Sequence, residues 1–315
     1  MSNEKKFLIF SPSYRETSGG IVVLHKLCHL LNEIGFEAYI CPQFNTFEVS
    51  ARNFPRKVGR FLLSEVRRKK SGFRVHANFN TPLIDGVKKK SLEDCIVIYP
   101  EIISGNPLDA NNVVRWLLHQ PGFHSGKVNY ATGELYYKFN SAINDFNIHG
   151  SVLSDNELKV IHYPLDVYYR PEESGGRWGT AYCLRKGKHK QVQHDLADSV
   201  LIDGKPHEEV AEIFRNVKTF ISYDTYTAYS IFAVLCGAQS IVVPDEGVDI
   251  DEWYPDPKDR NGIAYGFSQA ELARAERTKP LVLEHVKSEE LKSIERVRAF
   301  AQEAQDFFSD RRAQQ

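Results

Sequence analysis

At 315 residues the chain is about twice the commonest single-domain length, so two domains or one large α/β domain is expected. Its 42% hydrophobic and 26% charged residues exclude a disordered polymer and a disulfide-stapled miniature, and no apolar run reaches the roughly 18 residues of a spanning helix. The 40 basic and 41 acidic residues leave a net charge of -1, which argues against a surface built wholly for nucleic acid and leaves that function only a local basic stretch.

The opening MSNEKKFLIFSPS has four consecutive apolar residues before a serine and a proline, too few for the apolar segment of a signal peptide, so a cytosolic protein is expected. Five cysteines, Cys28, Cys41, Cys95, Cys183 and Cys236, form no CxxC pair and adjoin apolar neighbours, as buried reduced thiols do.

In chain order, the apolar Phe7 to Phe10 predicts a strand. A polar loop and Gly19-Gly20 then lead into Ile21, Leu24, Leu27, Cys28 and Leu31 at helical spacing, and Gly35 stops the helix. A second strand over Glu37 to Cys41 completes a parallel βαβ unit. Further strands are expected at Cys95 to Tyr99 and Val113 to Leu118. Residues Val160 to Glu173, with two prolines, read as the interdomain connection.

The rhythm then restarts: strands at Gly179 to Leu184 and Val200 to Ile202, a helix from about Pro206 to Val217, a strand Thr219 to Tyr223, a helix from about Thr227 to Cys236, and a strand Ser240 to Val243. An amphipathic helix over Ser288 to Phe308 closes the chain. Two such domains facing each other would leave a cleft at the carboxyl ends of both sheets, where open α/β folds bind ligands.

The loops after the strands therefore carry the candidate chemistry. Gly19 and Gly20, at a helix start, allow close backbone approach and offer N–H groups to an anion; a plain loop is the alternative, and without a full GxGxxG an NAD site is not expected. After Leu184 the chain reads Arg185, Lys186, Gly187, Lys188, His189, Lys190, a density of positive charge suited to a nucleotide diphosphate, or else a solvated basic turn. The run Tyr223 to Ser230 places Asp224, Thr225, Thr227 and Ser230 at a strand end entering a helix. Any of the three hydroxyls would cap that helix, and Asp224 would accept hydrogen bonds from sugar hydroxyls.

This order of features, with Gly-Gly before the first helix, an Arg–Lys loop after the first strand of the second half, an acidic residue, a helix and Cys-Gly-Ala before an apolar strand, resembles GT-B glycosyltransferases. The similarity is to the large retaining family that builds bacterial surface polysaccharides, and it is densest in YPEIISGNPL, VVRWLLHQPG and ISYDTYTAYSIFAVLCGAQSIVVPDEG. Asp224 matches the first position of that family's E-x7-E motif, and the second, which normally holds the donor ribose, falls on Phe232. Arg185 and Lys190 match its phosphate-gripping pair.

The resemblance implies an α/β GT-B fold of two Rossmann-like domains about a central cleft. An acceptor domain would span 1–165, a nucleotide-sugar domain 166–287, and a helix over 288–315 would pack back across both. It implies a metal-independent, hexosyltransferase-type enzyme with no cofactor beyond its nucleotide-sugar substrate. The acceptor would be a hydroxyl of a growing lipid-linked or polysaccharide glycan such as O-antigen, other lipopolysaccharide or capsule.

On the acceptor side the loops of the first half hold Glu101, Asn106, His119 and His124, and Glu101 or His119 would take the acceptor proton in an inverting transfer. Asp249-Ile250-Asp251 is formally a DxD, discounted as a metal motif because it sits late in an acidic loop. Arg52 to Arg74 holds nine Lys or Arg against one Glu, with Val58, Phe61, Leu62 and Val66 on one helical face, either a peripheral membrane-surface element or an ordinary surface helix. The competing functions are a non-catalytic glycan-binding or assembly subunit, a nucleotide-sugar epimerase, and a nucleic-acid binder using that stretch.

Overall fold

A computed structural model of the chain describes residues 4–43, 72–84, 92–172 and 175–313. The expected basic amphipathic element lies outside the described residues except for Gly72, Phe73 and Arg74. The chain divides into two compact units, Met1–His162 with Glu290–Gln315, and Tyr163–Glu289.

The first unit holds β1 (Lys6–Ser11), α1 (Gly19–Glu33), β2 (Ala38–Pro42), β3 (Cys95–Pro100), β4 (Asn112–Leu117), β5 (Leu135–Lys138) and β6 (Val152–Glu157). They form a wholly parallel sheet in the order β2-β1-β3-β4-β5-β6. Near-continuous apolar strands such as FLIF and CIVIY follow from burial on both faces. Alternate side chains serve opposite cores. Phe7, Ile9, Ile96, Ile98, Val114 and Trp116 pack with Leu24, Leu27 and Leu31 of α1 and with Val297, Phe300, Ala304 and Phe308 near the C-terminus. Leu8, Phe10, Val97, Tyr99 and Val113 pack on the other face with Ile103 and Ala110.

Helix α1 ends where Gly35 takes φ +98, and the N–H of Phe36 reaches back to the Leu31 carbonyl at 2.9 Å, a six-to-one closure that needs the left-handed glycine. Asn32 then pins β2 by bonding both the N–H and the carbonyl of Ala38 at 2.9 Å. No helix separates β3 from β4, β4 from β5 or β5 from β6. The C-terminal helix covers that face of the sheet instead.

The second unit holds β7 (Trp178–Cys183), β8 (Ser199–Leu201), α2 (His207–Asn216), β9 (Val217–Ser222), α3 (Tyr229–Leu235), β10 (Gln239–Val242), α4 (Ile250–Trp253), β11 (Ile263–Tyr265) and α5 (Gln269–Thr278), and in it begins α6 (Val282–Ala313). Its sheet is again all parallel, in the order β11-β10-β9-β7-β8. One face packs Ala181, Cys183 and Phe220 against Val210, Ala211 and Phe214 of α2 and Tyr229, Phe232 and Ala233 of α3. The other packs Ile221, Tyr223, Ile241 and Ala264 against Leu272 and Ala275 of α5.

Both units are thus parallel α/β folds; numbered from its own start, the first has the strand order 2-1-3-4-5-6 and the second 2-1-3-4-5. In both orders the topological switch falls between the first and third strands, where ligands of such sheets bind at the carboxyl ends. The switch points are β1/β3 and β7/β9. All five cysteines are buried, and none is joined in a disulfide. Among the described residues no helix is long and apolar enough to cross a membrane.

Candidate functional site

At the second unit's switch point, the loop leaving β7 is shaped by its backbone. The Leu184 and Arg185 N–H groups donate to the Asp203 carboxylate, at 3.2 and 2.8 Å, and Arg185 adopts φ +42, a left-handed conformation that an arginine holds at a cost. One 3-10 turn, Arg185–Gly187, follows. Gly187 then presses on the loop leaving β9 so closely that a Cβ would sit 1.8 Å from the Tyr223 carbonyl oxygen.

Lys190 crosses the same gap. Its Nζ donates to Thr225 Oγ1 and to the Val243 carbonyl and pairs with Asp245 Oδ1, each at 2.7 Å. Thr225 Oγ1 in turn donates to Asp245 Oδ2 at 2.7 Å, and Trp253 Nε1 donates to the Thr225 carbonyl at 2.9 Å. An ammonium has three donors, and here the protein takes all three. Burial opposes the charge on Asp245, but hydrogen bonds from Lys190 and Thr225 outweigh it and hold the carboxyl below its ordinary range.

Arg185 stands differently. Its side chain is 37% exposed, its Nε lies 3.5 Å from Oδ2 of the buried Asp224, and its guanidinium sits over the Tyr229 ring at 5.2 Å. The loop's other basic residues, Lys186, Lys188 and His189, are exposed. Arg185 is therefore the group of this loop that faces a buried carboxylate while keeping exposed donors. Lys190 ties loops together.

The expectation that Thr225, Thr227 or Ser230 caps the helix after β9 is corrected. The N-cap of α3 is Ala228 and no side chain caps it. The hydroxyls are placed otherwise: Thr225 is engaged by Lys190 and Asp245, Thr227 Oγ1 accepts a long 3.4 Å bond from the Tyr229 N–H, and Ser230 lies buried inside the first helical turn. Phe232, at the position of the motif's second acid, is a core residue stacked on Tyr168 at 4.2 Å, so that face of the helix is apolar.

At the first unit's switch point, Gly19 and Gly20 open α1 after an extended Ser18, and only Leu118 Cδ1 lies near Gly20, 3.7 Å from where a Cβ would be. Glu101 follows β3, and its Oε2 accepts from the N–H of Leu118, just beyond β4, at 3.1 Å. Burial pushes the Glu101 carboxyl above its ordinary range, although backbone N–H groups, Leu118's among them, and the Arg115 charge oppose this. His119 comes next, its Nδ1 accepting from the Gln120 N–H at 2.8 Å. Glu101, His119 and Gly20 thus lie at the carboxyl ends of β3, β4 and β1, with Leu118 touching both Glu101 and Gly20. Asn106 does not join them: its side chain bonds Tyr99, and both the N–H and the carbonyl of Ala110, as a brace within its own loop.

Sequence reasoning missed the group that fixes these loops. Arg115 in β4 is fully buried, clasps Glu134 through two bonds of 2.9 and 2.7 Å, and donates to the Ile103 and Gly105 carbonyls at 2.8 Å. Its guanidinium lies against the Tyr99 and Tyr130 rings, and Tyr130 Oη donates to the Glu101 carbonyl at 2.6 Å. The available signal was a lone arginine inside the apolar run VVRWLL.

Asp249 of the formal DxD accepts from the N–H groups of Asp251 and Glu252, capping α4, while Asp251 pairs with Arg260. Among the described residues no cluster of three or more His, Cys, Asp or Glu is arranged to hold a metal ion.

No protein-family model matches the sequence, and no curated protein matches it. Solved structures are similar in fold at low identity. Phage T4 β-glucosyltransferase in complex with UDP-glucose aligns over 97% of this chain and 98% of its own, with 10% identity and a TM-score of 0.43. Sucrose-phosphate synthase of Thermosynechococcus elongatus aligns over 99% and 100%, with 10% identity and a TM-score of 0.35. Acinetobacter baumannii MurG aligns over 97% and 99%, with 11% identity and a TM-score of 0.35. At these values the likeness carries no residue from those proteins to this one.

Proposed function

We propose that the chain is a GT-B-type glycosyltransferase. Its second unit would bind a nucleoside-diphosphate sugar, and its first would present a hydroxyl of a growing bacterial surface glycan. The observation that carries this reading is Arg185, partly exposed at the β7/β9 switch point on a loop locked by Asp203 and Gly187, beside the buried Asp224. A guanidinium can grip two phosphate oxygens at once and stabilise the charge that develops on a leaving diphosphate. Lys188 adds charge nearby, and Asp224 both orients the guanidinium and offers an acceptor to a sugar or ribose hydroxyl. In the first unit, Glu101 or His119 receives the acceptor proton, and burial, which raises the Glu101 carboxyl above its ordinary range, makes it the stronger proton acceptor when ionised. Protein cations carry the donor charge, so no metal is invoked.

One observation favours a second reading. Phe232 occupies the position where the resembled family carries its second acid, as a non-catalytic glycan-binding subunit would allow. Thermal shift with UDP, GDP, dTDP, ADP and CMP separates the two. A rise in melting temperature with one nucleotide, lost in Arg185→Ala, supports the enzyme; no rise with any of them overturns it.

A further inference from the structure

Phe123 is 67% exposed, more than any other large apolar side chain among the described residues, yet its ring is held in place. It stacks on His119 with centroids 4.1 Å apart and planes at 29°, and His124 meets it edge-on at 5.0 Å. The loop beneath is tightly turned: the Phe123 N–H bonds the Gln120 carbonyl at 3.1 Å, the Gly126 N–H bonds the Gly122 carbonyl at 2.7 Å, and Gly122 and Gly126 take φ +83 and +67. Gln120 Oε1 also accepts from the Asn144 N–H at 3.0 Å. An aromatic face is thus presented to solvent on the loop whose root, Leu118, donates its N–H to the Glu101 carboxylate.

Exposing an apolar ring forgoes burial free energy, and fixing it also costs side-chain entropy, so a braced exposed ring is a recognition feature rather than a packing remnant. Its surroundings define the ligand. His119 and His124 border it with imidazoles, and Lys127 is the single lysine or arginine of the loop 119–128. A single-stranded nucleic acid would call for a basic track beside its stacking ring, and a protein partner for a contiguous apolar patch. A pyranose offers an apolar C–H face bordered by hydroxyls, which matches an aromatic ring bordered by imidazoles.

We infer that Phe123, braced by His119 and His124, is a saccharide platform that takes one pyranose ring by its C–H face. Its role as the acceptor subsite rests on the glycosyltransferase reading; saccharide binding itself does not.

The test is saturation-transfer NMR on the full chain with cellobiose, maltose, methyl β-D-galactopyranoside and N-acetylglucosamine, each separately, and with a ten-residue oligothymidylate. The native protein should transfer saturation to the ring C–H protons of at least one saccharide. Phe123→Ala should weaken that binding about tenfold and Phe123→Trp should retain it. Silence with every saccharide, equal binding by Phe123→Ala, or a signal from the oligothymidylate alone overturns the platform. A nucleotide thermal shift without a saccharide signal overturns the platform and leaves the donor reading standing, whereas a saccharide signal without any nucleotide shift does the reverse.

Discussion

The Lys190 ammonium lies 2.7 Å from the Asp245 carboxylate, across the ends of β7 and β10, with Thr225 from the end of β9 bonded to both. Arg185 and Lys190 therefore differ in kind. Removing Lys190 strips a hydrogen bond from the Val243 carbonyl and a partner from Asp245, so Lys190→Met should cost about 2 kcal/mol in urea unfolding without any nucleotide. Arg185→Lys keeps a cation beside the buried Asp224 and should stay within about 0.5 kcal/mol of the native protein while losing nucleotide affinity with the two-oxygen grip. Equal stabilities for the two variants would refute the division of labour.

Gly187 owes its identity to close approach, for its backbone is pressed against the Tyr223 carbonyl. A methyl group 1.8 Å from that oxygen cannot be relieved by a side-chain rotation, because the obstacle is main chain. Gly187→Ala should therefore prise the loops after β7 and β9 apart, at a cost of about 3 kcal/mol or more. A urea midpoint unchanged from the native protein would contradict this.

The sequence discloses the strands whose cores demand apolar runs on both faces. Phe7 to Phe10 and Cys95 to Tyr99 could be read as parallel strands because nothing polar interrupts them. It conceals β6, whose residues Val152–Glu157 read VLSDNE, because an edge strand half open to solvent has no such demand. It also conceals β5 and β11, LYYK and IAY, which are set among polar and glycine residues with no strand rhythm around them. Within the site, the basic composition of the loop after β7 was legible. Which of its cations is tied up was not, because that depends on Val243 and Asp245, more than fifty residues on. The same holds for Arg115, whose partner Glu134 arrives from another loop.

Arg115 and Glu134 form a pair that should be costly to break and cheaper to remove. In Arg115→Met, Glu134 keeps a buried carboxylate whose remaining partner is the Ala131 N–H at 3.2 Å, and the Ile103 and Gly105 carbonyls lose their donors. A loss of about 3–5 kcal/mol is expected. The double variant Arg115→Met/Glu134→Leu removes the stranded charge and should recover about 1–3 kcal/mol of it. Strict additivity of the two single changes would show that the pair is not coupled.

Glu101 allows stability and chemistry to be separated. Burial, only partly offset by backbone N–H groups and Arg115, raises its carboxyl above the ordinary range, so the folded state favours the protonated form. The stability it contributes is complete below the unfolded pKa of 4.5 and is lost as pH rises through the folded value. Glu101→Gln keeps an oxygen for the Leu118 N–H and abolishes this titration. Its melting temperature should match the native protein at pH 4 and exceed it by up to about 2 °C at pH 7. On the proposed reading Glu101 takes the acceptor proton, so the same variant should lower sugar transfer about 100-fold or more. If the melting temperature rises as expected while transfer is untouched, Glu101 is only a buried carboxyl that holds the Leu118 turn, and proton acceptance passes to His119.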